Sequence, residues 1–299
     1  MKNDTAIELE LVRETNICDL LKGSKGQRFE ASGVHLKDGI LHIVFDNLPQ
    51  VMLLSPDWEH ATSEPTLLEV KGKGTGYEGI TFQPETKRWY CVIEAAKKKS
   101  GKFMPRVDVF DEAFGFIESH WLDFPLETGN KGFEGLLLLS YQGNDYLLGL
   151  YEGVGTKSGK SREEAEHERI QVFKQGKGRW KRVGTVKLPE AARFKDYSSI
   201  DFSNRYVTVL SQESSAMWVG HVRDEPTSLD DLFEDEGRLF LLPRDDKNRP
   251  LYCDPEGVAW LGDGRLVVVS DKKKSKQPGR CADKDQSIHI FKLPDGYVF

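Results

Sequence analysis

Short apolar runs recur along the chain, each broken by a tight turn and answered by a second apolar run. Five segments share this form: SGVHLKDGILHIVFD from Ser32, EGITFQPETKRWYCVIE from Glu78, EGLLLLSYQGNDYLLGLYE from Glu134, SSIDFSNRYVTVLSQ from Ser198 and EGVAWLGDGRLVVVSD from Glu256. The runs are too short for packed helices and rich in β-branched and aromatic residues, so they predict strands. Turn chemistry agrees, with Lys37-Asp38-Gly39, Gln83-Pro84-Glu85, Gln142-Gly143-Asn144-Asp145, Ser203-Asn204-Arg205 and Gly262-Asp263-Gly264 between the paired runs. Each hairpin opens on a small or acidic residue and closes on a polar one.

Further strand candidates follow each hairpin: QVMLLSP and PTLLEV, then RVDVF and SHWLDF, then RIQVF and KRVGTVKL, then AMWVGHV and GRLFLL. The last hairpin is followed only by SIHIFKL, so the N-terminal AIELELV is predicted to supply the missing strand and join the two ends of the chain. Repeats of this length and content predict an all-β, five-bladed β-propeller, formed by residues 1–299 as one domain. A six-bladed alternative would need another inner hairpin, and the sequence offers none. Long helices are absent; SREEAEHERI, 161–170, is the best short helical segment.

Composition narrows the partners. A net charge of −6 with 38% hydrophobic and 30% charged residues argues against general attraction to nucleic acid or an anionic membrane. The N-terminal MKNDTAIELELVRE carries acids where a signal peptide would be apolar, and no run approaches a spanning helix, so a soluble, cytoplasmic and monomeric protein is expected. Cys18, Cys91, Cys253 and Cys281 lie far apart without a C-x-x-C spacing and are expected to be unpaired thiols.

In antiparallel strands the start of the first and the end of the second share one face. Ten positions should therefore converge near the axis: Ser32, Glu78, Glu134, Ser198 and Glu256 from the first strands, and Asp46, Glu94, Glu152, Gln212 and Asp271 from the second. Carboxylates crowded into one opening repel and raise each other's pKa unless a cation neutralises them. An all-oxygen donor set suits Ca²⁺ first, with Mg²⁺ or Mn²⁺ next. On this reading Glu78, Glu134, Glu256, Asp46 and Asp271 hold the ion, and Glu94 or Glu152 acts as base toward water. Lysine-rich loops follow on the same face, and Lys98, Lys157, Lys160 and Lys273 are the candidates for binding a small anionic ester or phosphoester. The alternative is a non-catalytic scaffold with a structural ion, on whose face a protein partner docks.

Other motifs fail. Gly159-Lys160-Ser161 ends like a phosphate-binding loop, but Val154 stands where its first glycine belongs. The glycines of GKGTGYEG lead into a strand rather than a helix, and no G-x-S-x-G or H-E-x-x-H is present. His35 and His42 fall on the inner strands of the first repeat, where a structural role is the simpler reading. The six tryptophans are read as packing between blades.

The segments YEGITF, FEGLLLL and PEGVAW, with second strands ending VIE, LYE and VVSD, resemble the SdiA-regulated propeller family and the broader group labelled esterase-like phytase. The likeness runs from about Ser32 to Phe291. It implies a five-bladed propeller with a Ca²⁺ site, and the phytase-like label implies metal-assisted ester or phosphoester hydrolysis. The Glu-Gly entrances of that family correspond to Glu78, Glu134 and Glu256; Ser32 and Ser198 depart from the pattern.

Overall fold

The chain opens with β1 (Ile7–Glu8), β2 (Glu10–Asn16) and a single helical turn, α1 (Ile17–Leu20). The first repeat forms β3 (Ala31–Lys37), β4 (Ile40–Phe45), β5 (Gln50–Leu54) and β6 (Thr66–Glu69). The second forms β7 (Tyr77–Gln83), β8 (Arg88–Lys97), β9 (Phe103–Asp111) and β10 (Phe116–Leu122), and the third β11 (Phe133–Tyr141), β12 (Asn144–Tyr151), β13 (Ile170–Gly176) and β14 (Arg179–Val186). The fourth forms β15 (Ser199–Ser203), β16 (Tyr206–Ser211), β17 (Ala216–Val222) and β18 (Phe233–Leu241). The last forms β19 (Pro255–Gly262), β20 (Arg265–Ser270), the short helix α2 (Gly279–Ala282) and β21 (Ser287–Lys292). This computed structural model describes residues 7–22, 24, 26–126, 129, 131–152, 169–176, 179–224, 226–272 and 277–297.

Within each repeat the strands pair antiparallel in chain order. The predicted turns do what their residues allow. Asp38-Gly39, Gln142-Gly143, Asn204-Arg205 and Asp263-Gly264 all take positive φ at both positions, the backbone that matches strand twist in a two-residue hairpin. The second and third repeats join into one eight-stranded sheet where β10 and β14 meet in parallel, with Trp121 opposite Arg179 and Leu122 opposite Trp180.

Apolar side chains fill each gap between successive repeats. Val44 and Val51 meet Tyr77 and Trp89, Val92 and Val107 meet Leu136 and Phe133, and Leu148 and Val186 meet Ile200 and Trp218. Leu210 and Met217 meet Val258 and Leu266, and Ala259 and Val267 pack back on Ile43 and Leu41 of the first repeat. That last contact closes the circle, and β19 lies beside β3. Trp89, Trp180 and Trp218 are fully buried in these gaps and Trp260 nearly so, as expected, whereas Trp58 and Trp121 are half-buried, Trp121 beneath Lys98 and Arg106. His35 and His42 join them: their rings lie 5.7 and 4.4 Å from Trp89, and burial lowers both pKa values to about 4.

The N-terminal segment closes the last repeat, but only in part. β2 pairs antiparallel with β21, whereas β1 turns aside and adds in parallel to β18 of the fourth repeat. Leu9, buried between them, donates its N–H to Leu241 O at 2.9 Å and marks the crossover. A buried polar cluster clamps the closure: Glu14 on β2 accepts from Lys284 and Tyr252 and lies 3.3 Å from His289 Nδ1. The far nitrogen of His289 is 3.1 Å from Ser270 Oγ. The hydrogen bond to His289 and the charge of Lys284 hold the Glu14 carboxyl down to about 2. Ser270 and His289 are both inaccessible, so this serine–histidine–glutamate row is a fastener rather than a nucleophile.

Two expectations are corrected or displaced. Cys253 and Cys281 are joined by a disulfide with a Cα–Cα separation of 5.6 Å; Cys18 and Cys91 are free. The chain brings the two together from 28 residues apart, a proximity that short-spacing rules do not detect. The helical segment at 161–170 falls outside the described residues up to 168, and Ile170 begins β13 instead.

Candidate metal centre at the axial opening

The aim of the acidic side chains is set by a repeated irregularity. The pairing register slips between Ala31 and Gly33, Tyr77 and Gly79, Phe133 and Gly135, and Pro255 and Gly257. Ser32, Glu78, Glu134 and Glu256 are the extra residues of these bulges, and a bulge re-aims the side chain it carries. Ser198 holds the matching place just before β15.

The glycine after each bulge has a steric purpose. None of Gly33, Gly79, Gly135 and Gly257 takes a positive φ, but a Cβ on any of them would strike the next inner strand. A Cβ on Gly257 would come within 3.1 Å of Gly33 Cα, one on Gly33 within 3.0 Å of Gly79 Cα, and one on Gly79 within 3.2 Å of Gly135 Cα. Backbones therefore approach closely around the opening, which carries the bulge residues inward.

The second-strand residues are pinned to the same end. Asp46 N–H donates to Glu30 O at 2.9 Å, Glu152 N–H to Gly132 O at 3.0 Å, and Asp271 N–H to Asp254 O at 3.0 Å. Gly132 leaves room for Glu94, since a Cβ there would lie 2.6 Å from Glu94 Cγ. β8 does not end at Glu94 as the repeat predicts; it bulges there and runs on to Lys97.

Mutual repulsion follows from this convergence. Burial first, and then the charges of Asp46, Glu94 and Asp271, push the Glu78 carboxyl well above the usual carboxylate range. Burial and the charges of Glu78, Glu94, Glu256 and Glu152 do the same to Glu134; burial with Asp271, Glu78, Asp254 and Asp196 does so to Glu256. Glu94, half-buried and facing Glu152 and Asp46, is raised to about 7.

The tightest grouping is Glu94, Glu134 and Glu152, whose nearest carboxylate oxygens all lie within 4.8 Å of one another. They line one side of a cavity of about 200 Å³ completed by Asp196, Tyr197, Ser198, Gln212 and Glu256. Glu78, Asp46 and Asp271 are acidic neighbours of the opening rather than members of the tight group. Lys131 Nζ is 3.3 Å from Glu152 Oε1, and Arg169 donates to the Glu152 carbonyl at 2.6 Å. Lys98 points elsewhere, with its ammonium 4.9 Å from the centre of the Trp121 ring. Lys157, Lys160 and Lys273 lie outside the described residues.

The far side of the opening is organised differently. Gln212 Nε2 donates to Asp254 Oδ1 at 2.9 Å and to Glu256 Oε1 at 2.8 Å. Asp196 accepts from Ser211 Oγ and, at 3.0 and 3.1 Å, from Glu213 N–H. Sequence reading passed over Asp196 and Asp254. Their signal is an acid two residues before the bulge position, also seen at Glu30, where the second and third repeats have Gly76 and Gly132.

Several solved structures share this architecture. A GH43 β-xylosidase/α-arabinofuranosidase from a compost microbial metagenome, solved with xylotriose in a calcium-free form, superposes with a TM-score of 0.54 at 12% identity, covering 97% of this chain and 96% of that one. The GH43_1 enzyme from Xanthomonas citri, complexed with xylotriose, gives a TM-score of 0.51 at 13% identity over 96% and 92% of the two chains. The chain is a β-propeller. At these identities the likeness carries the fold and nothing more. No protein-family model matches the chain, and no curated protein sequence matches it. No helix among the described residues is long and apolar enough to cross a membrane.

Proposed function

We propose that this propeller has five blades, formed by residues 1–299 as one domain, and binds a divalent cation, Ca²⁺ in preference to Mg²⁺ or Mn²⁺, in its axial opening. The grouping of Glu94, Glu134 and Glu152 carries this reading: three half-buried carboxylates present oxygens within 4.8 Å of one another, and among the described residues one of them, Glu152, pairs with a cation, Lys131. Repulsion in that group is relieved by a cation, and an all-oxygen set with further acids at Glu78, Glu256, Asp46 and Asp271 suits an ion that takes about six to eight oxygens. The resemblance to SdiA-regulated propellers points the same way.

The activity that fits such a site is hydrolysis of a small anionic ester or phosphoester, the ion supplying Lewis-acid polarisation of the substrate oxygen. Glu94 or Glu152, whichever keeps a carboxylate oxygen off the ion, is placed to take a proton from water there. A cavity of about 200 Å³ limits what can enter to the ion and a small group. That volume equally supports a second reading, in which the ion only ties the blades together and the propeller face is a scaffold.

Calorimetry on chelator-treated protein tests the central point. Ca²⁺ should bind at one site, and Glu134→Gln should weaken it by about a hundredfold, roughly 2.7 kcal/mol. Absence of saturable Ca²⁺, Mg²⁺ or Mn²⁺ binding to the wild type would remove the proposal. Given binding, turnover of small esters or phosphoesters that depends on the ion selects the hydrolase; binding without turnover selects the scaffold.

A further inference from the structure

A second cavity, of about 450 Å³, opens away from the axis between the last repeat and the loop that follows β5. One wall is Val12 and Arg13 of β2, the other is Ser55, Pro56, Asp57 and His60, and Arg265 and Ile290 complete it. The register explains how two guanidinium groups come to line it. Arg13 pairs with Ile290, Ile290 pairs with Val267, and Arg265 lies two residues along β20 from Val267. Side chains alternate along a strand, so Arg13, Ile290 and Arg265 share one face of the sheet, with the two arginines on strands either side of β21.

These arginines differ in what they hold. Arg13 donates to Asp57 Oδ1 at 2.6 Å and to Pro56 O at 3.3 Å, and its guanidinium lies 5.4 Å from the centre of the Trp58 ring. His60 Nδ1 is 3.0 Å from the same Asp57 carboxylate, and Glu59 is 3.6 Å from Arg13 Nε. Arg13 is thereby fixed in place. The Arg265 side chain, half-buried, makes no hydrogen bond or ion pair among the described residues. A guanidinium carries five donors in a fixed fork, and in a concave site it is the side chain best suited to a planar or tetrahedral anion. Val12, Pro56 and Ile290 supply an apolar wall beside it, and Val12 is 47% exposed.

We propose that this cavity binds a small organic anion: a carboxylate or phosphate head accepted by Arg265 with Arg13 alongside, on an apolar body packed against Val12, Pro56 and Ile290. The site is independent of the axial carboxylates. Its volume is more than twice that of the axial cavity, enough for a head and a ring together.

Calorimetry with phenyl phosphate, benzoate and inorganic phosphate on chelator-treated protein tests it, with the axial site emptied of metal. Saturable binding of phenyl phosphate, benzoate or both is expected at one site, and whichever binds identifies the preferred head. Arg265→Gln should weaken that binding about tenfold. Arg265 has no partner to lose, so the variant should melt with the wild type; Glu134→Gln should bind the probe unchanged. The proposal is overturned if neither organic probe binds, if Arg265→Gln binds as the wild type does, or if inorganic phosphate alone binds as tightly as phenyl phosphate.

Discussion

The two sides of the axial opening are built from the same repeat and handle their acids in opposite ways. On one side Glu94, Glu134 and Glu152 crowd together, and the Glu94 carboxyl is raised to about 7. On the other, burial raises the Glu256 carboxyl as well, but Gln212 stands where the second and third repeats have Glu94 and Glu152, and its amide donates to both Asp254 and Glu256. Ser198 likewise replaces a glutamate and donates to Pro255 O at 2.9 Å. Neutral donors serve one side where a cation is called for on the other. The blade frame does not decide this; single side chains at matching positions do.

The largest effect should come from erasing the difference. Gln212→Glu removes both N–H donors and sets a third carboxylate against Asp254 and Glu256. Leaving such charges uncompensated in a part-buried site is expected to cost about 3–5 kcal/mol, read as a fall in melting temperature. Addition of Ca²⁺ should restore much of it if the new trio behaves like the old one. A variant that melts with the wild type would show that Gln212 is not what neutralises that side.

Next in size is the dependence on pH. The ordinary carboxyl value for Glu94 is 4.5, and its folded value is about 7, so the folded protein holds a proton that the unfolded chain has released. Stability of the cation-free protein should therefore fall as pH rises from about 4.5 to 7, by at most about 1.4 kcal/mol per pH unit for one such group. The terminal clamp has the opposite sign. With Glu14 lowered to about 2, its contribution is present above 4.5 and is lost only as pH falls toward 2. Saturating Ca²⁺ should flatten the upper slope alone, and chemical denaturation across pH with and without the ion would show it. Parallel curves with and without Ca²⁺ would count against a cation among these acids.

Gly132→Ala probes how the crowded side is shaped. Its new Cβ would lie 2.4 Å from Glu94 O and 2.6 Å from Glu94 Cγ, so the backbone of the bulge must shift. Overpacking of this kind typically costs about 1–3 kcal/mol. Ca²⁺ affinity should drop with it, because Glu94 loses its register with Glu134; Gly143→Ala, strained by its positive φ at a turn remote from the opening, should cost stability but leave affinity unchanged.

These features were unequally legible in the sequence. The paired strands and their turns could be read directly, because Asp-Gly and Gln-Gly admit the positive φ that two-residue hairpins require. The Xaa-Gly step at four of the five entrances was visible too, but its reason was not: the glycine answers a neighbouring backbone in another repeat, which no local pattern reveals. For the same reason the role of Gln212 was hidden, since its partners lie about forty positions away, at Asp254 and Glu256. The split of the N-terminal segment between two sheets turns on the burial of Leu9, where AIELELV was expected to form one strand of the last repeat. The Cys253–Cys281 link ties α2 to the chain just before β19, a long-range contact without a spacing rule.

The smallest expected effect concerns the cation already at hand. Lys131 lies 3.3 Å from Glu152 Oε1 and is 60% exposed, so as an ion pair it contributes little to stability. It nevertheless competes with any metal for that oxygen. Lys131→Met keeps the length of the side chain and removes the charge, and it should raise Ca²⁺ affinity about two- to fivefold while leaving the melting temperature nearly unchanged. The same change should steepen the loss of stability with pH in the cation-free protein, because Glu152 then faces Glu94 with less compensation. A drop in Ca²⁺ affinity would mean that Lys131 orders Glu152 for the ion rather than competing with it, and would place the lysine among the groups that build the crowded side.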